Sequence, residues 1–477
     1  MANCKCNKSF SRNYMLLIPE KASVFDLIRF LLISSNVDKT KFVDCPEGEL
    51  LPFRRRWLIF LSIMAQKFLQ LVAKPLASFG SALEQWLNLL ARNRNIFVLF
   101  HNFIGGKVVS IPDKTSSDYT SLIGYLDKRR MLDENINYGD SRYYAALSIM
   151  AAKTSYENSA FIENIVKDYW KMDFLGFYDF WNEYQEKATT QAFLFRQNTN
   201  SDSELIVVAF RGTETFDADA WSTDVDLSWY ELPGVGKVHG GFMKALGLQK
   251  NVGWPKNIDN KPNVAYYAIR EMLRELLQKN QKAKVIVTGH SLGGALAILF
   301  PAVLAFHQET WLLKRLDGIY TYGQPRVGDE QFGEFMKAQI TKHNIPYYRM
   351  VYCNDLVPRV PYDDTTFMFK HFGTCLYFDS LYKGKIVDEE PNRNYFSLLW
   401  IIPMVMNAIW ELIRSFVIGF AMGREYKEVG VTRLIRFMSL MIAGVPVHFP
   451  QDYVNATRLG SPELYLHGST NGKTKNN

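Results

Sequence analysis

The segment Thr288-Gly-His-Ser-Leu-Gly-Gly294 constrains this chain more than any other, because of what stands on either side of it. Before it runs Lys284-Val-Ile-Val-Thr288, short and β-branched; after it runs Gly293–His307, long and rich in alanine and leucine. Buried strand, turn, helix is the order of one unit of a parallel sheet, whose strands are joined by covering helices. Within the turn, Gly289-His-Ser-Leu-Gly293 has the form G-x-S-x-G. A serine on so sharp a strand-to-helix turn sits on strained backbone with no room for neighbouring side chains, and Gly289 and Gly293 leave that room. A helix starting near Leu292 points free N–H groups at whatever the serine attacks. Ser291 is therefore a candidate nucleophile.

The surrounding pattern agrees. Gln191–Arg196 and Leu205–Phe210 read as strands about a polar turn, Val264–Gln278 as an amphipathic helix, and Gly318–Tyr322 and Tyr347–Cys353 as further strands. Residues 140–190 read as helical and aromatic, with Tyr143, Tyr144, Leu147 and Met150 opening one face. This grammar predicts an α/β fold with a mostly parallel central sheet. There is no internal repeat, and 48% hydrophobic residues against 22% charged ones exclude a disordered chain.

A serine needs a base, and the base an acid to hold it. On this type of fold they follow in the order serine, acid, histidine. Asp355, in Asn354-Asp-Leu-Val-Pro-Arg-Val-Pro361, lies just past the strand ending at Cys353, and reactive groups gather at the carboxyl ends of such strands. His371, His448 and His467 come late enough to be the base. His371 follows Asp355 too closely to leave room for a strand and return, and His467 sits in a polar tail. His448, in Val447-His-Phe-Pro-Gln-Asp-Tyr453, is the expected base. For the oxyanion, the expected donors are the backbone N–H of Leu292 and Thr213, which follows the strand 205–210 and offers both backbone and hydroxyl.

Two apolar regions lie outside these motifs. Across 57–90, Leu61, Met64, Phe68, Val72, Leu76, Phe79, Leu83, Trp86 and Leu90 recur at helical steps of three and four. Pro75 is expected to kink or split that helix. Lys67, Lys74 and Glu84 make a clean membrane span unexpected. Across 395–423 only Glu411 and Arg414 are charged, and the uncharged run Phe396–Trp410 is short of a bilayer core of about 30 Å. Each region suits either an interfacial segment or helices packed on the domain. The charge favours an interface for the first: between Arg54 and Lys107 there are eight basic residues and one acidic, a surplus equal to the +7 of the whole chain. Basic residues laced with Trp, Phe and Leu fit an anionic lipid surface, and no nucleic-acid motif accompanies them. The expected division is an N-terminal region, 1–135, and a catalytic domain, 136–477, with the 395–423 insert.

The five cysteines, odd in number and without framework spacing, point to free thiols in a reducing compartment. The apolar run 15–18 is too short for a secretory signal, so a cytosol-facing protein is expected, with the sequon at Asn455-Ala-Thr457 unused.

Five ordered segments now coincide: Ala209-Phe-Arg-Gly-Thr213, Val238-His-Gly-Gly-Phe242, Thr288–Gly294, Tyr322-Gly-Gln-Pro-Arg-Val-Gly328 and Asn354-Asp-Leu-Val-Pro358. Together they resemble the class 3 lipases, α/β-hydrolases that include filamentous-fungal triacylglycerol lipases. The likeness covers roughly 190–375 and the region of His448. The flanking apolar regions and the ending His448–Arg458 are similar to a plant branch, the oil-body lipases. The resemblance implies an α/β-hydrolase that cleaves acylglycerols through an acyl-enzyme with no metal or cofactor, with Ser291 as nucleophile, His448 as base, Asp355 as orienting acid and Thr213 with Leu292 as oxyanion hole. His239 and His290 fall in family motifs as structural neighbours. Residues Glu214–Tyr230 occupy the family's lid position; Phe216 and Trp221 beside several aspartates suit a flap with one face for water and one for oil. A lipid-droplet or membrane surface, facing the cytosol, is the implied location, with the endoplasmic reticulum membrane as a second. The same triad would serve a phospholipase A1 or galactolipase, while a complete triad disfavours a non-catalytic scaffold. One departure is the long stretch from Asp355 to His448, whose excess coincides with the apolar insert.

Overall fold

Alternation on the central strands decides the architecture. On Ser203–Phe210, Ile206, Val208 and Phe210 enter one apolar core while Leu205, Val207 and Ala209 enter another; on Lys284–His290, Val285 and Val287 part from Ile286 in the same way. A sheet with both faces buried must be covered on both sides. Helices Ala265–Lys279 and Leu292–Phe306 cover one face, and Tyr143–Thr154 and Pro450–Leu459 the other. The structure, a computed structural model, describes every residue except 1–9, 12, 34–39, 47–50, 94–95, 106–109, 200–202, 250–251, 259–262, 362, 364–368, 394, 396–397, 439, 441–443, 445 and 467–477. His467 thus lies outside the described residues.

The sheet has eight strands in the spatial order 384–387, 374–378, 347–352, 316–322, 284–290, 203–210, 187–199, 173–182. Its four inner pairings are parallel and its three outer ones antiparallel. The strand of the G-x-S-x-G segment lies in the parallel centre. This is the expected mostly parallel sheet of an α/β-hydrolase. One expectation fails: within 140–190, Asp173–Asn182 is a strand, not helix. Its run of Phe, Tyr and Trp favours a strand, Gly176 has φ of 140°, and pairing along Lys187–Thr199 settles the choice.

A second, antiparallel sheet is built from six strands of two to four residues. Here the N-terminal strand Tyr14–Leu17 pairs with Trp229–Leu232, which begins at the end of the 214–230 segment. The apolar run near the N-terminus therefore becomes a strand of the folded body.

The first apolar region forms one continuous 40-residue helix, Phe53–Arg92. Pro75 does not split it. Pro75 and Leu71, whose carbonyl loses its partner to the proline, both stand on the exposed side, where water meets the loss. The insert carries the 21-residue helix Ile401–Ala421. By length and composition alone, both helices could cross a membrane. Their faces are inverted relative to a soluble protein. On the insert helix Glu411, Arg414 and Ser415 are buried while Ile402, Ile409, Phe416 and Phe420 face outward, Phe420 with 88% of its surface exposed. The next helix, Gly430–Met438, repeats this: Thr432 and Arg436 inside, Leu434, Phe437 and Met438 outside. Helix Val24–Leu32, started by a Ser23–Asp26 capping box, also turns Val24, Phe25, Ile28 and Leu32 outward. Sequence reading missed these last two surfaces, because nine residues carry too few turns to establish a period.

The inward charges of the insert belong to one buried network. Arg414 donates to the Asp452 carboxylate (3.0 Å) and to Tyr352 Oη (2.7 Å), and Tyr352 Oη donates to Glu411 (3.2 Å). Arg436 bonds Glu428 (2.7 Å) and Asp452 (2.9 Å). Burial pushes Asp452 up, but Arg436 and Arg414 outweigh it and hold its carboxyl below the ordinary value. Asn455 and Thr457 of the sequon are fully buried in the helix beside Asp452.

Candidate active site

Ser291 stands between strand Lys284–His290 and helix Leu292–Phe306, with φ 59° and ψ −129°, a conformation L-residues rarely adopt. The glycine requirement is quantitative. A Cβ on Gly289 would lie 2.2 Å from the Gly293 carbonyl carbon, and one on Gly293 would lie 2.3 Å from Phe210 O. Strand, turn and helix are thus pressed against the neighbouring strand, and the strained serine is held by that packing.

His448 Nδ1 donates to Asp355 Oδ2 over 2.8 Å. That bond fixes the tautomer and leaves the lone pair on Nε2, which is buried and has no hydrogen-bond partner among the described residues. Asp355 is fully buried. Its Oδ2 also accepts from Tyr453 Oη (2.5 Å) and its Oδ1 from the Val357 N–H (2.9 Å). The Ser291 N–H donates to Tyr322 O (2.9 Å), and the structure gives no hydrogen bond from the Ser291 hydroxyl to His448 Nε2. The next residue, Gly323, has φ 56°, and a Cβ there would sit 2.8 Å from His448 Cε1 and 3.0 Å from Asp355 Oδ2. So Gly323 leaves the space that the imidazole and carboxylate fill.

A second chain orients the same histidine. His290 Nε2 donates to the His448 carbonyl (2.6 Å), which makes His290 Nδ1 an acceptor for Tyr156 Oη (2.8 Å). Burial, and the neighbouring His448, push His290 well below its ordinary value, so it stays neutral. Burial likewise lowers His239 to about 3; its Nε2 donates to Asp226 O and its Nδ1 accepts from the Phe242 N–H. Both act as neutral struts. His371 donates from Nε2 to Pro358 O (2.6 Å), and its partners do not include Ser291 or Asp355.

Thr213 and Leu292 line one small cavity of about 110 Å³, with Gly212 and Leu296. Gly212 is needed there, since a Cβ would lie 2.0 Å from Tyr156 Oη and 2.5 Å from His290 O. Helix Leu292–Phe306 begins at Leu292, so its first N–H groups are those left without carbonyl partners. The Thr213 hydroxyl, which the sequence left as a second donor, is engaged elsewhere: it donates to Asp224 Oδ2 (3.1 Å). Asp224 lies in helix Ala218–Val225, within the 214–230 segment. Before that helix is Phe216, and within it Trp221, whose indole donates to Thr215 O (3.3 Å). Ser291 is 2% exposed and His448 9%, so both candidate residues are shut away from water. The 214–230 segment contributes Glu214, Asp217, Ala220 and Thr223 to the lining of this cavity.

Asp224, Tyr453, Tyr156 and Gly323 were not singled out from sequence. The two tyrosines and Gly323 lie in or near quoted motifs, but only burial and pairing give them roles. Asp224 carries a pH dependence. Burial raises its carboxyl to about 7, against smaller lowering by the Thr213 bond and by His448, and its Oδ1 has no hydrogen-bond partner among the described residues. A carboxyl raised in the folded state keeps its proton where the unfolded chain has lost it. Stability therefore falls as pH climbs from about 4 to about 7. Asp224→Asn should be close to neutral at the acid end of that window and increasingly stabilising, relative to wild type, towards its upper end. Thermal denaturation of both proteins across the window checks this; parallel profiles would contradict it.

Comparison with known proteins supplies the remaining context. The family model described as lipase (class 3) matches residues 207–365. The triacylglycerol lipase OBL1 of Arabidopsis thaliana is 40% identical over 493 residues, covering 94% of this chain and 95% of its own. The triacylglycerol lipase OBL1 of Nicotiana tabacum is 38% identical, with 94% of each chain covered. A lipase of Rhizopus niveus is 33% identical over 168 residues, 35% of this chain and 37% of its own. Among solved structures, lipase II from Rhizopus niveus aligns with a TM-score of 0.37 at 25% identity, over 50% of this chain and 80% of that one.

Proposed function

The chain belongs to the class 3 lipase family, and from that premise we propose that it is a triacylglycerol lipase working through Ser291, His448 and Asp355 at the surface of a lipid droplet. The observation that carries the reading is the 2.8 Å His448–Asp355 bond, which leaves the Nε2 lone pair free; the positive φ of Ser291 on its elbow supports it. In the first half-reaction Ser291 Oγ attacks the ester carbonyl carbon while His448 Nε2 takes its proton. The tetrahedral oxyanion accepts hydrogen bonds from the N–H groups of Thr213 and Leu292, which contribute most when the charge develops. The C–O bond to the glycerol oxygen breaks, and that alcohol leaves with the proton from Nε2. Water then enters by the same route, its proton going to Nε2 and its oxygen to the acyl carbon, and the fatty acid leaves from a restored serine. Asp355 keeps Nδ1 protonated throughout and stabilises the imidazolium.

The inverted helices support the location. Faces carrying Phe68 (62% exposed), Leu71 (78%), Ile402, Phe416 and Phe437 leave a broad apolar area in water unless lipid covers it. A monolayer on a lipid droplet, met from the cytosol, accommodates helices that lie flat with charged residues turned into the protein. Purified protein given triolein emulsion and phosphatidylcholine vesicles in parallel tests the substrate class. Fatty-acid release about tenfold or more faster from triolein is expected. Release confined to the phospholipid would move the assignment to a phospholipase A1.

A further inference from the structure

We infer that the cavity between the C-terminal end of helix Phe53–Arg92 and the segment 124–130 is a binding site for the phosphate monoester headgroup of an anionic lipid, separate from the catalytic site. This rests on the interfacial reading above, not on the triad, and adds which lipid the surface presents.

The cavity holds about 540 Å³, within the roughly 300–1,000 Å³ usual for small-molecule sites. None of Ser291, His448, Asp355, Thr213 and Leu292 lines it. Five cations and three carboxylates do. Two of the cations are engaged by the protein. Arg129 donates to both oxygens of Asp127 (2.8 and 2.7 Å), and Lys153 donates to the backbone carbonyls of Asp127 (3.1 Å) and Arg129. The other three, Arg92, Lys128 and Arg130, have no carboxylate partner among the described residues. The carboxylates oppose an anion less than their number suggests. Asp127 is paired with Arg129. Glu157 accepts from the Ser121 N–H and hydroxyl (both 2.8 Å), and burial raises its carboxyl. Only Asp118 of the three is exposed. Three unpaired cations around one hollow repel each other until an anion joins them. A carboxylate would occupy one of them. A phosphate monoester brings about −1.5 to −2 charges and three acceptor oxygens, which matches all three.

The walls are fixed before anything binds. Lys153 holds the carbonyls of Asp127 and Arg129, and the Trp170 indole holds that of Arg130 (2.8 Å). The Arg130 guanidinium lies over the Phe161 ring, 4.6 Å from its centroid, and both line the cavity. A guanidinium already seated on a ring loses little freedom when it takes a ligand. Apolar surface flanks the site on two sides. Helix Ile96–Ile104, which begins four residues past Arg92, exposes Phe97, Phe100 and Ile104. Helix Gly430–Met438 is tied to the 124–130 segment by Thr432, whose hydroxyl donates to Leu126 O (3.2 Å), and it exposes Leu434 and Phe437. Free phosphate would use none of this rim, whereas the acyl chains of a phosphate-bearing lipid would.

Binding, not hydrolysis, is the readout. Full-length Ser291→Ala protein is titrated with phosphatidylcholine vesicles containing phosphatidate, and with phosphatidylcholine–phosphatidylserine vesicles matched in surface potential. Phosphatidate should bind about tenfold or more tighter. Lys128→Met combined with Arg130→Met should bring the two lipids level, and Arg92→Met, at an exposed helix end, should narrow the gap by itself. Lys67→Met combined with Lys74→Met removes the same charge outside the cavity, and should weaken both lipids alike while keeping the gap. No gap in the starting protein, or a gap that survives in both cavity variants, would overturn the site. Glycerol 3-phosphate and inorganic phosphate, titrated by calorimetry, separate the sources. Both should bind at about millimolar or weaker, and inorganic phosphate bound as tightly as phosphatidate would overturn the lipid assignment. Failure to adsorb to any vesicle would instead sink the interfacial reading. The glycerol 3-phosphate titration, lost in Lys128→Met with Arg130→Met, then decides the cavity by itself.

Discussion

Replacing Ser291 with alanine should lower kcat on a short acyl ester by a factor of about a million, and replacing His448 with alanine should cost nearly as much. The two losses should not multiply, because nucleophile and base act as one unit, and the double variant should match the singles. Asp355→Asn should lose roughly ten-thousand-fold, since an asparagine amide beside Nδ1 favours the wrong tautomer while leaving the geometry intact. Folding should survive the serine change, because the Ser291 side chain caps no N–H of the helix it precedes. A thermal transition unchanged in Ser291→Ala beside the lost turnover separates chemistry from stability. Full turnover in that variant would end the scheme.

The second large effect concerns the insert. Exchanging Ile402, Ile409 and Phe416 for lysine should release the protein from droplets into the cytosol while leaving short-ester turnover near wild type. Ile402 is 75% exposed, Phe416 52% beneath Arg433, and Ile409 39%; with roughly 2 kcal/mol for a fully exposed side chain entering oil, the three together remove on the order of 3 kcal/mol of partitioning. Arg414→Ala should behave in the opposite way. It leaves Asp452 and the Tyr352 hydroxyl buried with one partner fewer, a loss of about 3–5 kcal/mol. Asp452 adjoins Tyr453, which donates to Asp355, so this damage reaches the proposed catalytic acid. Cutting out 395–423 would therefore confuse anchoring with folding, and outward substitutions read by fluorescence microscopy are the sharper test. Droplet staining undiminished by the three lysines would contradict the interfacial role.

Much of the site was legible because its signals are local. The strand 284–290, the glycines of the elbow and the helix after it follow from residue type within a few positions. His448 and Asp355 followed from chain order, and one hydrogen bond joins them. What could not be read is non-local. The strand 173–182 exists through its pairing with 187–199, and the small sheet uses strands too short to show a period. Asp224 reads as one acid among several in a polar flap until burial places it on Thr213. Glu411 and Arg414 read as interruptions of an apolar run, whereas they form its inward face. Pro75 was weighed by its chemistry alone, and its exposed position lets the helix continue.

The most direct measurement is mass-spectrometric mapping of the adduct left by a fluorophosphonate on protein that is hydrolysing triolein. The account predicts a single modified serine, Ser291, with the extent of modification matching the loss of fatty-acid release, and no adduct in His448→Ala on the same timescale. Modification at another residue that abolishes release, or hydrolysis that continues with Ser291 fully modified, would contradict it.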